Sequence, residues 1–226
     1  MKTRGHFLVA VSLALFVVPV FAQQKTKRAL PVLVDFRKAA WGMTKAQVMA
    51  AEPGKPVEVR ESNGEVILQY DSIELAGLEC RLAYILAKDK LVRAKYLFEA
   101  EHSDPNDFIG DFRSIERLLT DQYGEPASDR AIWESDALQD EPKSYLDQDR
   151  ASAANILPSD RFAGLSVSLG HLKLYTQWRQ PRTKVLHALT GEGYRITHQI
   201  EYLSVALEAL ENEVRQHRAK GVPIAR

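Results

Sequence analysis

Two histidines are the residues in this sequence whose type and spacing best fit metal binding or acid–base chemistry. His187 and His198 each lie in a segment whose apolar residues alternate, and Gly191-Glu192-Gly193 separates the two segments. A hairpin that turns at Glu192 and Gly193 would place the two imidazoles opposite each other, with their Cβ atoms about 5 Å apart. A pair of imidazoles at that distance can bind a metal ion or take part in acid–base chemistry. His187 and His198 are therefore the candidate metal ligands.

A structural role for the same two histidines is the alternative. Two ligands do not complete a metal site, and a shift of the turn by one residue would break the direct pairing. The histidines would then fill a partly covered face of a sheet. No cofactor is predicted, and no catalytic residue is assigned.

Other candidate motifs lack part of their pattern. Gly191-x-Gly193 opens like a dinucleotide-binding loop, but Ile196 stands where the third glycine belongs and a strand is predicted to follow. Gly164-Leu165-Ser166-Val167-Ser168 lacks the last glycine of a nucleophile elbow. Asp147-Gln148-Asp149, within an acidic cluster at 134–149, starts like a calcium loop and then lacks its glycine.

Charge and cysteine content restrict the class of protein. The chain has 30 basic and 30 acidic residues, and a surface so balanced argues against a nucleic-acid binder, which needs clustered positive charge. Cys80 is the only cysteine, so no internal disulfide can form. The alternating segment around it predicts that Cys80 is buried on the apolar face of a strand.

Residues 1–22 have the pattern of a signal peptide. Lys2 and Arg4 precede an apolar run at 7–18, and Val20-Phe21-Ala22 ends in the small residues of a cleavage site. The run is shorter than the roughly 20 residues of a membrane-spanning helix, although an uncleaved anchor is the alternative. Gln23 rather than cysteine follows the cut, so no lipid anchor is expected. The mature chain is predicted to be periplasmic or secreted, with no transmembrane segment.

The rest of the pattern predicts one α+β domain over residues 35–217, between a linker at 23–34 and a flexible tail at 218–226. Thr44 and Gln47 can cap a short helix, Asp104-Pro105 opens a longer amphipathic one, and a last helix begins near Ser204. Alternation predicts an antiparallel sheet of about seven or eight strands with helices packed on one face. Its predicted strands are 57–60, 65–70, 78–86, 92–98, 165–169, 172–178, 183–189 and 194–202.

Two short motifs near the ends of the domain resemble those of a protein family. Phe36-Arg37-x3-Trp41-Gly42-Met43-Thr44-x3-Val48 is similar to the opening of small, uncharacterised bacterial exported proteins. Trp178-x2-Pro181-x-Thr183-x-Val185 and Ile200-Glu201-Tyr202-x-Ser204 are similar to their ending. The capped helix followed by antiparallel strands also resembles the β-lactamase inhibitor protein and the small lipoprotein of the outer-membrane barrel assembly machine. The resemblance implies an exported α+β protein and supplies no catalytic residues.

Two classes of function follow as expectations. The first is a non-enzymatic binding or envelope-interaction protein, whose partner would be an envelope or secreted protein or a small ligand, and not a nucleic acid. It would present an open face or edge of its sheet to that partner. The alternative is a hydrolase or metal-dependent enzyme with dispersed catalytic residues, using His187 and His198 or the acidic cluster.

Overall fold

The fold is taken from a computed structural model, which describes residues 34–134 and 162–219. Several predicted segments lie outside the described residues. They are the signal peptide at 1–22, the linker up to residue 33, the acidic cluster from residue 135 onward and the end of the tail at 220–226.

Eight antiparallel strands form one sheet in the described part of the chain. They are β1 Glu58–Ser62, β2 Glu65–Leu75, β3 Leu78–Ala87, β4 Lys90–Phe98, β5 Ser128–Trp133, β6 Leu172–Arg179, β7 Thr183–Glu192 and β8 Arg195–Ser204. Their order across the sheet is β1-β2-β3-β4-β8-β7-β6-β5, so β8 joins an N-terminal meander to a C-terminal one. The α+β class and the number of strands are as predicted.

Within the described residues, four helices accompany this sheet: α1 Lys45–Ala51, α2 Pro105–Tyr123, α3 Ala163–Ser168 and α4 Glu208–Ala219. The Thr44–Gln47 capping box of α1 is present in both directions, as predicted. The side chain of Asp104 accepts the Asn106 N–H at the start of α2, where Pro105 costs no hydrogen bond. These caps fix the ends of helices that are too short or too polar to form alone.

One face of the sheet carries the main core and three of the helices. Val48 of α1 and Ile115 and Leu119 of α2 share a cluster with Leu82 and Tyr84 of β3. Val167 of α3 belongs to a second cluster, which also holds Phe112 of α2 and Leu189 of β7. For these three helices the arrangement matches the expected packing on one face.

Helix α4 differs, because it lies on the opposite face. Its Val214 packs against Ala87 and Val92, and its Glu211 pairs with Arg93 at 3.0 Å. The register shift between Ile85 and Leu86 turns this small apolar patch toward the second face, where α4 covers it. An apolar stripe on α4 can therefore be buried there.

The strand predicted at 165–169 is wrong, because these residues belong largely to helix α3. Their apolar and polar residues alternate, but the Ser166 hydroxyl donates to Phe162 O at 2.8 Å and the Ser168 hydroxyl donates to Leu165 O at 2.9 Å. Serines that satisfy themselves on the preceding turn do not need solvent. The alternation of apolar and polar residues at 165–169 therefore does not indicate a strand with one face in solvent.

Glycines explain why α3 sits so close to its neighbours. A Cβ on Gly164 would lie 2.2 Å from the carbonyl of Pro105, and one on Gly191 would lie 2.1 Å from the carbonyl of Val167. Gly164 and Gly191 belong to the incomplete nucleophile-elbow and dinucleotide-loop motifs of the sequence. Their observed use is the close approach of α3 to α2 and to β7.

The structure differs from the prediction at two further places: it contains strand β5, which alternation did not predict, and the last helix begins later than Ser204. Strand β5 is half exposed along its length and forms the edge of the sheet. Ser204 ends β8, and α4 begins only at Glu208. None of the helices in the described ranges combines the length and apolar character that crossing a membrane requires.

Candidate functional site

The structure brings the two predicted histidines into contact. The Nε2 atoms of His187 and His198 lie 2.8 Å apart, so one imidazole donates a hydrogen bond to the other. Phe112 stacks on His187 with ring centroids 4.0 Å apart, and Phe98 stacks on His198 at 4.2 Å. The side chains are enclosed, because His187 is 0% exposed and His198 is 3% exposed.

The turn between the two histidines is displaced from the predicted position. His187 faces Ile200 and His198 faces Leu189, whereas the two histidines were expected to face each other. The turn centres on Gly193 and Tyr194, which both have positive φ. A displacement of the turn by one residue changes each pairing by two positions, which keeps both imidazoles on the same face. They meet diagonally instead of directly.

Burial keeps both imidazoles neutral. It lowers the pKa of His198 to about 3, and it lowers the pKa of His187 well below the usual range, with a smaller contribution from His198. Neither Nδ1 has a hydrogen-bond partner among the described residues. Whichever imidazole donates, the other must carry its proton on an unpaired, buried Nδ1. Such a pair is costly and closed to solvent, which is typical of a core and not of an open reaction site.

Metal binding by this pair stays a prediction. Within residues 34–134 and 162–219, no three His, Cys, Asp or Glu side chains are grouped so as to hold a metal ion.

Cys80 is fully buried, its thiol donates to Ile73 O at 3.3 Å, and burial raises its pKa to about 11. That environment favours an inert thiol, as the alternation predicts.

The motif that carries the family resemblance anchors the chain before α1. Arg37 binds the buried carboxylate of Glu52 with its Nε at 3.0 Å, and Tyr84 donates to the same carboxylate. The indole N–H of Trp41 donates to Thr183 Oγ1 at 2.9 Å, which joins the opening motif to the ending motif. Asp35 pairs with Arg182 at 2.7 Å. These contacts fasten the opening loop to the sheet.

A pair of carboxylates lies beside the buried histidines. Glu116 of α2 accepts the Thr176 hydroxyl at 2.5 Å, and Asp129 of β5 lies 3.3 Å from the same hydroxyl. Burial, with the nearby Glu116 carboxylate, raises the pKa of Asp129 to about 6. Thr176 faces His187 across β6 and β7. The group extends the polar interior under α2 toward the edge of the sheet.

An open groove lies beside the tip of the β7–β8 hairpin. We call it the hairpin groove. It has a volume of about 760 Å³, with Phe98, Phe108 and Ile196 among its apolar residues and Arg81, His102, Tyr194 and Arg195 among its polar ones. His102 Nε2 lies 2.6 Å from Asp111 Oδ2, and Arg81 pairs with Glu99 at 2.7 Å. The groove thus offers an apolar lining with charged groups beside it.

A second depression adjoins the hairpin groove. It has a volume of about 670 Å³, and Lys173, Tyr175 and Thr190 contribute to its lining. Arg195 and Thr197 line both features. The two depressions therefore share part of their lining, and we call them together the recessed surface.

Tyr194 stands out at the edge of this surface. It is 75% exposed and has a φ of 66°, in the left-handed region that bulky side chains avoid. Its backbone N–H donates to Ser168 O at 2.9 Å, which ties the hairpin tip to α3. An exposed aromatic ring held in a strained position is typical of residues that are kept for binding.

Sequence reasoning missed this surface. Arg81 lies on β3, His102 precedes α2 and Arg195 begins β8, so no local spacing links them. Only the order of the strands brings β3, β4 and β8 to one end of the sheet. The signal that was present is the Gly193-Tyr194 turn, where a large aromatic residue stands in place of the glycine or asparagine that such turns favour.

Comparison with family models, with curated proteins and with solved structures found no match for this chain.

Proposed function

We propose that this protein is an exported, non-enzymatic binding protein that holds a partner protein of the cell envelope or the extracellular space. The partner would contact the hairpin groove and the adjoining depression. The observation that carries the proposal is Tyr194, an exposed aromatic ring kept at positive φ beside the exposed side chain of Arg195. Tyrosine and arginine are the residues most often found at the energetic centre of protein interfaces.

The buried histidines favour the same conclusion. Their Nε2 atoms are occupied by each other, and aromatic rings enclose them. An enzyme that used this pair would have to open its core to admit a substrate. A binding protein can keep such a pair as part of a fixed scaffold for the surface at the hairpin tip.

Site-specific photo-crosslinking in the native host tests the proposal. A benzoyl-phenylalanine at position 194 is expected to form a discrete adduct with one envelope or secreted protein. The same group at Val59, which is exposed on the edge strand β1, is the matched control. Equal adducts from both positions, or none from position 194, would contradict the proposal.

Substitution of Tyr194 separates binding from stability. Tyr194→Gly removes the ring and relieves the left-handed strain, so the free energy of unfolding should rise by about 0.5–1 kcal/mol. The yield of adduct from a crosslinker at Thr197 should fall about tenfold, as expected for loss of a central tyrosine. A residue kept only for folding would not show a gain in stability with a loss of binding.

A second candidate function is a hydrolase or metal-dependent enzyme. The observation that favours it is the His102–Asp111 pair, whose imidazole lines the hairpin groove, because a carboxylate bound to an imidazole is the arrangement of a general base. Metal analysis of dialysed protein tests the metal-dependent form. Stoichiometric metal that His102→Ala abolishes would favour the enzyme, and a metal-free protein that still forms the Tyr194 adduct would favour the binder.

A further inference from the structure

The register of the C-terminal meander assigns a set of side chains to one face of the sheet. Arg130 pairs with Tyr175, Tyr175 with Ala188, and Ala188 with Gln199, so this row crosses β5 to β8 on a single face. His187 and Thr176 point to the other face, under α2. We call the face that carries the Arg130 row the open face. Among the described helices only α4 packs on this side, and it does so against β3 and β4.

The open face of β5 to β8 carries more positive than negative charge. Its strands contribute five cations, Arg130, Lys173, Arg179, Lys184 and Arg195, and two carboxylates, Glu201 and Glu192, of which Glu192 is the cross-strand neighbour of Arg195. Two further carboxylates, Glu134 and Glu208, reach this face from outside the strands. Glu201 is already engaged by Arg93 and Lys95 of β4. The excess of positive charge is therefore local, since the chain as a whole carries equal numbers of basic and acidic residues.

Three of these cations have no ion-pair partner within residues 34–134 and 162–219. Lys173 pairs with Glu134 and Lys184 pairs with Glu208. Arg130, Arg179 and Arg195 make no such pair and are exposed. Guanidinium groups left free on a sheet face offer paired N–H donors to carboxylates.

The spacing of the three arginines indicates the size of the partner. At 3.3 Å per residue and about 4.8 Å per strand, Arg195 lies roughly 20 Å from Arg130 and still farther from Arg179. One small anion cannot bridge such distances. A protein surface or an extended segment can, and the half-buried ring of Tyr175 and the exposed ring of Tyr194 supply aromatic contact between the charges.

We propose that the partner presents an acidic segment, rich in aspartate and glutamate, to the open face around Arg195. This inference rests on the proposed binding function and adds the chemistry of the partner. A nucleic acid is less well matched, because its phosphates are closely spaced and require cations clustered along a track.

Selection from a random peptide library displayed on phage tests the chemistry. Peptides retained by the purified protein are expected to contain about twice the aspartate and glutamate of the unselected library. The enrichment should disappear in the double variant Arg130→Glu/Arg195→Glu. Lys55→Glu, a charge reversal in the exposed loop between α1 and β1, is the control and should keep it. Unchanged thermal melting of each variant shows that the fold is intact.

Several outcomes would overturn the inference. They are selection of neutral or basic peptides, no selection at all, equal acidic enrichment by the double variant, and competition by single-stranded DNA as strong as that by a selected peptide. A discrete Tyr194 adduct together with any of these results leaves the binding function standing and removes only the acidic partner. Absence of the adduct together with acidic enrichment contradicts the proposed contact at the hairpin groove and leaves the acidic preference of the open face standing.

Discussion

At the scale of single residues, the buried His187–His198 pair is the arrangement whose energetics depend most on context. Each imidazole satisfies the other through one hydrogen bond, while one Nδ1–H has no partner among the described residues. Removing one histidine leaves a buried polar atom unpaired, whereas removing both leaves an apolar site between Phe98 and Phe112. The two substitutions should therefore not be additive.

A double-mutant cycle measures this coupling. His187→Leu and His198→Leu should each lower the free energy of unfolding by about 2–3 kcal/mol. The double variant should lose about 1 kcal/mol less than the sum of the single losses. Urea unfolding followed by tryptophan fluorescence gives all four values, and strictly additive losses would contradict the hydrogen-bonded pair.

Acid sensitivity follows from the lowered pKa values of the same residues. Both histidines take up protons less readily in the folded protein than in the unfolded chain, where the pKa is near 6.5. Their contribution to stability is therefore complete above pH 6.5 and declines as the pH falls toward 3. The wild type should lose stability between pH 6.5 and 4.5 by more than the double leucine variant does. Equal losses would show that other groups cause the acid sensitivity.

At the scale of elements, the contact between α3 and the β7–β8 hairpin positions the recessed surface. Gly191→Ala would place a methyl group against the Val167 carbonyl, so α3 must move or the hairpin must bend. We expect a loss of about 2–3 kcal/mol and faster amide exchange at Tyr194, whose N–H bonds to α3.

Gly110→Ala is the control for that prediction. Gly110 lies within α2, and an added Cβ there meets no atom within 4 Å. Alanine at an exposed helical position should stabilise the protein by up to about 1 kcal/mol. If both substitutions were equally harmless, the close approach of α3 to β7 would not be needed for stability.

The success of sequence reasoning differed among the elements for physical reasons. Asn63-Gly64 predicted a hairpin and Asp104-Pro105 predicted a helix start, because turn and cap chemistry is local. The α3 segment was mistaken for a strand, since its serines bond within their own helix. Strand β5 was missed because half-exposed edge strands carry little alternation. The two histidines were correctly predicted to share one face of the sheet, but their register was wrong. A shift of the turn by one residue changes each cross-strand pairing by two positions, so both side chains stay on the same face.

The recessed surface could not be predicted from the sequence. Arg81, His102 and Arg195 come from separate elements, and only the placement of β8 beside β4 brings them to one end of the sheet. The neighbours of β8 depend on long-range strand pairing, which no local pattern specifies.

At the scale of the whole molecule, export remains the prediction on which the proposed partner depends. If residues 1–22 are removed, the protein isolated from the host should begin at Gln23 and occur in the periplasmic or secreted fraction. Intact mass spectrometry and cell fractionation measure both. Retention of Met1 with a cytoplasmic location would contradict export, and with it the envelope or extracellular partner.

The order of the strands also governs how the chain can fold as it emerges. Strands β1 to β4 form a meander of neighbours in sequence, but the outer side of β4 is completed only by β8, through pairs from Arg93–Leu203 to Leu97–Gln199. If the N-terminal half folds first, the backbone N–H and C=O groups on the outer side of β4 therefore remain unpaired and prone to aggregation until β8 pairs with them. Shortening the protein before β8 should therefore yield aggregates in place of a smaller soluble domain.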